Sequence, residues 1–180
     1  MRVFVAIDIT SNEIINSISK FQSEINIKAK PIELHNLHFT LQFLGEISQE
    51  ILEKVMISLN SIKFSKFIIN FRGIGVFPTL KFPRIIWIGT DENGGALLIK
   101  LAKNVEDVLA PLGFSVDKPF KPHITVFRIK NKIEDISKEL DKFKSIDFGK
   151  QEIAKFKLKQ SILSSNGPVY SDLMEIKAES

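Results

Sequence analysis

The sequence contains no cysteine and very little histidine. Its 180 residues include 3 histidines, 1 tryptophan and 1 tyrosine, against 15 phenylalanines. Without cysteine the protein has no disulfide bonds, no thiolate nucleophile and no cysteine-based zinc or iron–sulfur centre. The possible chemistry is narrowed considerably by this one absence.

Long apolar runs are missing as well. No segment approaches the roughly 20 apolar residues that span a bilayer. The apolar stretch that follows Met1 is interrupted at Asp8, which is too early for the apolar region of a signal peptide. We therefore expect a cytoplasmic protein that does not contact a membrane.

Composition and charge are those of an ordinary globular protein. Hydrophobic residues make up 44% and charged residues 26% of the chain, and the length suits one domain, or two small lobes that share a core. The formal net charge is +4 and the isoelectric point is near 9.2. A basic surface suits an anionic partner, although surface lysines also serve solubility alone.

Hydrophobic periodicity predicts helices and strands that alternate along the chain. Thr10 and Glu13 have the spacing of a capping box, and Ser48 can cap a second helix. Residues 91–95 are typical of a turn. The predicted strands are 2–9, 37–44, 67–77, 84–89, 122–127, 152–163 and 169–176, and the predicted helices are 10–25, 48–62, 96–109 and 133–143.

The predicted order occurs twice, as helix, strand, helix, strand, strand. We therefore predict an α+β fold with two similar lobes, in which largely antiparallel sheets line a central cleft and helices lie outside. Residues 1–180 would form one bilobal domain built from two pseudo-repeats. The alternative is an α+β protein whose helices and strands alternate without any repeat.

The same tripeptide stands at the corresponding place in each half, as His38-Phe39-Thr40 and His123-Ile124-Thr125. Because side chains alternate across a strand, each histidine shares a face with its threonine. Each lobe would then present one imidazole and one hydroxyl to a common groove. The alternative is a pair of structural histidines, each beside a threonine that simply favours a strand.

A metal site is the less favoured use of these histidines. His35 and His38 would face opposite sides of a strand, and neither histidine motif contains an Asp or Glu to complete a ligand shell. We predict no metal and no cofactor. His35 is most simply a loop residue.

The residues resemble the 2H phosphoesterases, and among them the RNA 2′,3′-cyclic phosphodiesterases once described as 2′–5′ RNA ligases. The resemblance covers nearly the whole chain and is most specific in the first histidine motif. His35 is not required by that motif, and Phe127 is bulkier than the residue expected there. The segments that resemble the family are 2–8 (RVFVAID), 36–45 (NLHFTLQFLG), 84–89 (RIIWIG) and 122–128 (PHITVFR).

The resemblance implies a basic cleft with two facing histidines and metal-independent hydrolysis of a terminal 2′,3′-cyclic phosphate to a 2′-phosphomonoester. It assigns His38 as the proton donor and His123 as the proton acceptor. The substrate would be RNA with a cyclic phosphate end, or a cyclic nucleotide, and the protein is expected to act as a monomer. Histidine suits both roles, because a pKa near 6.5 lets one ring be neutral while the other is protonated.

Five further side chains are expected at or near the groove. Thr40 and Thr125 can donate hydrogen bonds to phosphate oxygens, and Arg128 can add positive charge. Arg128 lies five residues beyond His123, so it needs a strand end or a bulge to reach the cleft, and it is otherwise a solvated charge. Phe127 and Gln42 are expected to face the groove, where Phe127 would stack on the terminal base or serve only as a wall.

Other functions use the same residues. A 2′–5′ phosphodiesterase or an RNA ligase acting by the reverse reaction would need the same two histidines. No phosphate-cradling loop of the Gly-x-x-x-x-Gly-Lys-Ser/Thr type is present, which argues against ATP-driven ligation. A non-catalytic RNA-end-binding module is the remaining class, although such a module has no need of two matched imidazoles.

Overall fold

Two antiparallel sheets and four helices make up the protein, as described for residues 1–179 by a computed structural model. The strands are β1 (Arg2–Asp8), β2 (Lys30–Pro31), β3 (His38–Glu46), β4 (Phe67–Pro78), β5 (Pro83–Thr90), β6 (Ile124–Arg128), β7 (Asp147–Ile153), β8 (Lys155–Ser164) and β9 (Gly167–Lys177). The helices are α1 (Asn12–Glu24), α2 (Gln49–Asn60), α3 (Glu92–Leu109) and α4 (Ser137–Asp141), and 3₁₀ turns occur at Leu34–Asn36 and Ala110–Leu112. Within the described residues, no helix is both long enough and apolar enough to cross a membrane.

The strand order confirms the predicted α+β class with antiparallel sheets. The first sheet has the order β3-β1-β8-β9 and the second has the order β2-β6-β5-β4-β7, and every neighbouring pair is antiparallel. Each sheet combines strands from both halves of the chain, since β8 pairs with β1 and β7 pairs with β4. The internal duplication stays a prediction, because neither sheet corresponds to one half of the sequence.

One hydrophobic core lies behind both sheets. Phe39 of the first sheet stacks on Phe71 of the second with ring centroids 5.5 Å apart, and both side chains are fully buried. Phe21 of α1 packs edge-on against Phe148 of β7 at 5.8 Å. Burying one such ring contributes about 1.5–3 kcal/mol, so the shared core holds the two sheets in a fixed relation.

The start of α1 differs from the prediction. The helix begins at Asn12, and the side chain of its N-cap residue Ser11 makes no capping hydrogen bond. The predicted capping box of Thr10 and Glu13 is therefore wrong. The Gln151 side chain on β7 replaces it, because its Oε1 accepts from the backbone N–H of Thr10 and of Ser11 at 2.9 and 3.1 Å. The predicted cap at Ser48 is confirmed by a 3.3 Å bond from the Ile51 N–H.

Helix α3 begins four residues earlier than predicted. Asp91 caps it by accepting from the Gly94 N–H at 3.0 Å, and the other carboxylate oxygen accepts from the Asn70 N–H at 2.9 Å. A Cβ at Gly94 would lie 2.9 Å from the Ile68 carbonyl oxygen. The glycines predicted to form a turn instead let the helix pack closely on β4.

The second half of the chain contains the largest differences between the predicted and the observed helices and strands. Only Ser137–Asp141 of the predicted helix 133–143 is helical, and the strand β7 was not predicted. The segment predicted as one strand, 152–163, is divided at Ala154, where the chain leaves the second sheet and enters the first. A two-residue alternation cannot reveal this change of partner, because both strands have similar patterns.

Candidate active site

A cavity of about 350 Å³ lies between the two sheets and contains both histidine motifs. This volume is within the range of small-molecule sites. The cavity brings together five residues predicted from the sequence, His38, Thr40, His123, Thr125 and Arg128. The strand β2 and the β8–β9 turn complete the wall, with Lys30, Asn166 and Tyr170 among the lining residues.

His38 is the first residue of β3 and is held from three sides. Its Nδ1 lies 2.7 Å from the Asn36 carbonyl oxygen, which can only accept, so Nδ1 carries the proton. The Nε2 atom lies 3.0 Å from the Thr40 hydroxyl. The ring packs against Phe4 at 5.3 Å and edge-on against Tyr170 at 5.4 Å.

His123 directly precedes β6 and repeats the arrangement. Its Nδ1 lies 2.6 Å from the Lys121 carbonyl oxygen, again two residues earlier in the chain. Its ring packs edge-on against Phe77 at 5.2 Å and against Trp87 at 6.2 Å. In both motifs the carbonyl bond selects the tautomer that leaves Nε2 free to exchange a proton.

The pKa of each histidine lies below its ordinary value of 6.5, and burial is the main cause in both. The carbonyl of Asn36 partly offsets this lowering at His38, whereas the positive charge of Lys159 adds to it. At His123 the Lys121 carbonyl raises the pKa and the Lys121 ammonium lowers it. Both rings are therefore mainly neutral in the free protein near neutral pH.

A β-bulge interrupts each histidine strand at the same place. Thr40 pairs with Ala6 whereas Gln42 pairs with Val5, so Leu41 is the extra residue in β3. In β6, Thr125 pairs with Trp87 whereas Phe127 pairs with Ile86, so Val126 is the extra residue. Each extra residue stands three positions after its histidine, and beyond it the alternation of faces is reversed.

The bulge in β6 decides where Arg128 and Phe127 point. Arg128 is exposed and lines the cavity. The bulge at Val126 is the feature that the sequence requires for Arg128 to reach the cleft. Phe127 is only 2% exposed and packs against Phe21 at 6.0 Å. The prediction that Phe127 faces the groove and stacks on a base is therefore wrong, because the reversed alternation buries its ring.

The bulge in β3 has the same effect on Gln42, which was also expected to face the groove. Gln42 is 4% exposed, and its side-chain amide has no hydrogen-bond partner among residues 1–179. Tyr170, which the sequence reasoning did not single out, lines the cavity instead. Its signal was only that it is the single tyrosine of the chain, and it reaches His38 through the β8–β9 hairpin.

A charged cluster lies beside His38, since Asp8 is the strand partner of His38, and it consists of Asp8, Lys157, Lys159 and Asp172. Lys157 Nζ lies 2.9 Å from Asp8 and 2.7 Å from Asp172, and Lys159 Nζ lies 2.7 and 3.2 Å from the same carboxylates. Burial raises the pKa of Asp8, but the hydrogen bonds and charges of the two lysines outweigh burial and lower it. The cluster keeps two lysines near His38 with their charges compensated.

His35 lies in the 3₁₀ turn at the cavity rim, close to its predicted place in a loop. It is exposed, and its Nδ1 is 3.5 Å from the Glu33 carboxylate. Within residues 1–179 no group of three or more His, Asp or Glu side chains is arranged to hold a metal ion.

Comparison with known proteins agrees with this geometry. The AKAP7 2′5′ RNA ligase-like domain family matches residues 2–177. An RNA 2′,3′-cyclic phosphodiesterase of Archaeoglobus fulgidus is 42% identical over 175 residues, covering 96% of this chain and 98% of that protein. The chain belongs to the RNA 2′,3′-cyclic phosphodiesterase family. The prediction of an enzyme of this family is thereby confirmed.

Other relatives in the family span the whole chain as well. The RNA 2′,3′-cyclic phosphodiesterase of Methanocaldococcus jannaschii is 37% identical and covers 97% of this chain and 99% of its own. The crystal structure of TT0787 of Thermus thermophilus has a TM-score of 0.83 at 28% identity and covers 98% of this chain and 97% of its own. Escherichia coli LigT complexed with 3′-AMP has a TM-score of 0.80 at 25% identity, covering 99% of this chain and 98% of its own.

Proposed function

We propose that this protein hydrolyses the terminal 2′,3′-cyclic phosphate of RNA to a 2′-phosphomonoester, with two histidines and no metal. The observation that carries the proposal is the matched pair of imidazoles in one cavity. Each imidazole holds its Nδ1 proton on a backbone carbonyl, the Nε2 of His38 lies beside the Thr40 hydroxyl, and Thr125 lines the same cavity as His123. In-line displacement at phosphorus needs a base on one side and an acid on the other.

The proposed reaction is an in-line displacement in which water attacks phosphorus and the 3′ oxygen leaves. The Nε2 of His123 accepts a proton from water while the water oxygen bonds to phosphorus. The bond from phosphorus to the 3′ oxygen breaks, and His38 donates its Nε2 proton to that oxygen. The products are a 2′-phosphomonoester and a 3′-hydroxyl, and this assignment of acid and base follows the family resemblance.

The remaining cavity residues suit the phosphate. Thr40 and Thr125 can donate their hydroxyl protons to the two non-bridging oxygens, and Arg128 supplies a charge that no carboxylate among residues 1–179 pairs with. A phosphate bound between these groups would raise the pKa of both histidines, because a negative charge favours the imidazolium form. Protonation of the acid is thus coupled to substrate binding.

The direct test is incubation with a nucleoside 2′,3′-cyclic phosphate in EDTA, followed by identification of the product. We expect turnover that survives chelation and yields the 2′-phosphate alone. Loss of turnover in EDTA with recovery on Zn²⁺ or Mn²⁺ would contradict the metal-independent mechanism. Binding of the cyclic nucleotide without turnover would instead support a non-catalytic RNA-end-binding module.

A 2′–5′ phosphodiesterase or ligase is the second candidate, since Escherichia coli LigT and the AKAP7 2′5′ RNA ligase-like family share this fold. Both reactions would use His38 and His123. Supplying a 2′–5′-linked dinucleotide, or a cyclic phosphate end together with a 5′-hydroxyl end, separates them from hydrolysis of the cyclic phosphate.

A further inference from the structure

A second group of basic and aromatic side chains lies beside the cavity, at the tip of the β4–β5 hairpin. Phe82 is 52% exposed, and the ammonium groups of Lys81 and Lys132 lie 5.7 and 5.8 Å from its ring centroid. We call Lys81, Phe82, Lys130 and Lys132 the outer strip. Lys130 lines the cavity, so the outer strip is continuous with the site.

Local hydrogen bonds hold the outer strip against β6, the strand that directly follows His123. The Thr79 hydroxyl accepts from the Phe82 N–H at 3.1 Å and closes the hairpin turn. Arg84 Nη1 donates to the Lys130 carbonyl at 3.2 Å, and the Ile129 N–H donates to the Arg84 carbonyl at 2.9 Å. The segment that follows β6 is thereby joined to the hairpin.

The basic residues of this segment recur at alternate positions, as Arg128, Lys130 and Lys132. Ile129 between the first two is buried, and all three basic residues are exposed. Four residues of extended chain cover at most about 14 Å, so the charges mark a short path from the cyclic phosphate site to Phe82. Among residues 1–179, no ion pair involves Lys81, Lys130 or Lys132.

The charge along this path has one sign. Residues 73–90 and 118–133 contain no Asp or Glu. Further on, Asp135 accepts hydrogen bonds from Ser137 at the start of α4, and the exposed Glu134 precedes it. A phosphate backbone that follows the outer strip therefore meets unpaired lysines, and a base can stack on the Phe82 ring, the combination that single-strand binding uses.

We infer that the outer strip binds the nucleotides that precede the cyclic phosphate end, so that single-stranded RNA several nucleotides long is preferred over a free cyclic nucleotide. This inference rests on the proposed function, since it takes the cyclic phosphate to lie between His38 and His123. Phe82 stacks on an upstream base, and Lys81, Lys130 and Lys132 contact phosphates. The β4–β5 hairpin thus sets the preference for length.

The test compares a nucleoside 2′,3′-cyclic phosphate with a single-stranded oligoribonucleotide that ends in the same group. In Phe82→Ala we expect KM for the oligonucleotide to rise about 5- to 100-fold, the usual value of one base–aromatic contact. Its kcat/KM for the cyclic mononucleotide should equal that of the wild type, and Phe82→Tyr should keep the affinity. In Lys132→Gln the slope of log kcat/KM against log salt should fall by about 0.7 for the oligonucleotide.

Phe43→Ala is the matched control. Phe43 is 53% exposed and also carries a cation over its ring, with the Arg2 guanidinium at 5.1 Å, but it lies on the first sheet. It should leave both substrates unaffected. The inference is overturned if Phe82→Ala keeps the wild-type KM for the oligonucleotide, or if Phe43→Ala raises that KM instead.

The two proposals fail in different ways. If the wild-type protein turns over neither substrate, the proposed function is wrong. Fluorescence anisotropy with a labelled oligonucleotide then still tests the outer strip, because Phe82→Ala should weaken binding and Phe43→Ala should not. Equal anisotropy curves for the two variants would overturn the outer strip even without catalysis.

Discussion

At the scale of single residues, the site depends on how each imidazole is held. The carbonyl oxygens of Asn36 and Lys121 accept from Nδ1, so the proton that moves is always the one on Nε2. Aromatic side chains close the other side of each ring, with Phe4 and Tyr170 at His38. Orientation and pKa are thus determined by the same contacts.

Removing either histidine tests this arrangement. His38→Ala and His123→Ala should each lower kcat by roughly 10²–10⁴, the usual contribution of one positioned acid or base. Thr40→Ala and Thr125→Ala should lower kcat by a smaller factor, since each removes one neutral hydrogen bond. A nitrophenolate leaving group needs no proton and should rescue only the variant that lacks the acid, which we expect to be His38→Ala. Rescue of His123→Ala instead would reverse the roles, and wild-type rates in both would exclude catalysis by these histidines.

The pH dependence follows from the lowered pKa of both rings. The acid loses its proton as pH rises through its pKa, which burial places below 6.5, and the base is neutral only above its own pKa. A plot of kcat/KM against pH should be bell-shaped, and the midpoint of its alkaline limb should lie below pH 6.5. An alkaline limb well above that value would show that burial does not govern the acid in the free enzyme.

At the scale of elements, the two bulges decide which side chains reach the cavity. Strict alternation from His123 would expose Phe127 and bury Arg128, and the extra residue Val126 exchanges them. A single inserted residue therefore brings a positive charge to the phosphate site and an aromatic ring to the core. The aromatic contact of the cavity comes from another element, with Tyr170 on β9.

Substitutions at these two aromatic residues should have opposite effects. Phe127→Leu keeps an apolar side chain of similar size, so we expect a loss of about 1 kcal/mol in the free energy of unfolding and an unchanged KM. Tyr170→Ala removes a half-buried cavity wall beside His38, and we expect KM for a cyclic nucleotide to rise with a smaller loss of stability. Urea denaturation and steady-state kinetics on both variants make the comparison. A raised KM in Phe127→Leu at full stability would restore its role in base contact.

At the scale of the whole molecule, the Asp8 cluster joins distant parts of the chain. Asp8 ends β1, whereas Lys157, Lys159 and Asp172 lie on the last two strands. The cluster lies beside His38 on the first sheet, so the strand pairing of β1 with β8 contributes to the site as well as to the fold.

The cluster should make stability depend on pH. Because the folded pKa of Asp8 and of Asp172 lies below 3.8, their contribution is complete above that value and is lost as pH falls through the folded pKa. Asp8→Asn removes one of the two carboxylates that balance the charges of Lys157 and Lys159. We expect the free energy of unfolding to fall by about 1–3 kcal/mol at neutral pH, less than for a fully buried pair. Urea denaturation should show this difference shrinking at acid pH, whereas a constant difference would attribute it to packing.

The sequence by itself determined the fold class, the family and the residues at which chemistry is expected. The spacing of His38-x-Thr40 and His123-x-Thr125 was sufficient to predict that each histidine and its threonine lie on one face of a strand, because side chains alternate along a strand. It also identified Ser48 as a helix cap, since that hydrogen bond is local.

Only the tertiary structure decided the features that depend on a partner distant in the chain. The bulges at Leu41 and Val126 exist relative to β1 and β5, so no local pattern shows that Phe127 is buried and Arg128 exposed. The division at Ala154 depends on which sheet each strand joins, and the contact of Tyr170 with His38 depends on β9. Local periodicity shows which residues are apolar. Strand pairing determines which side chains from distant parts of the chain come into contact.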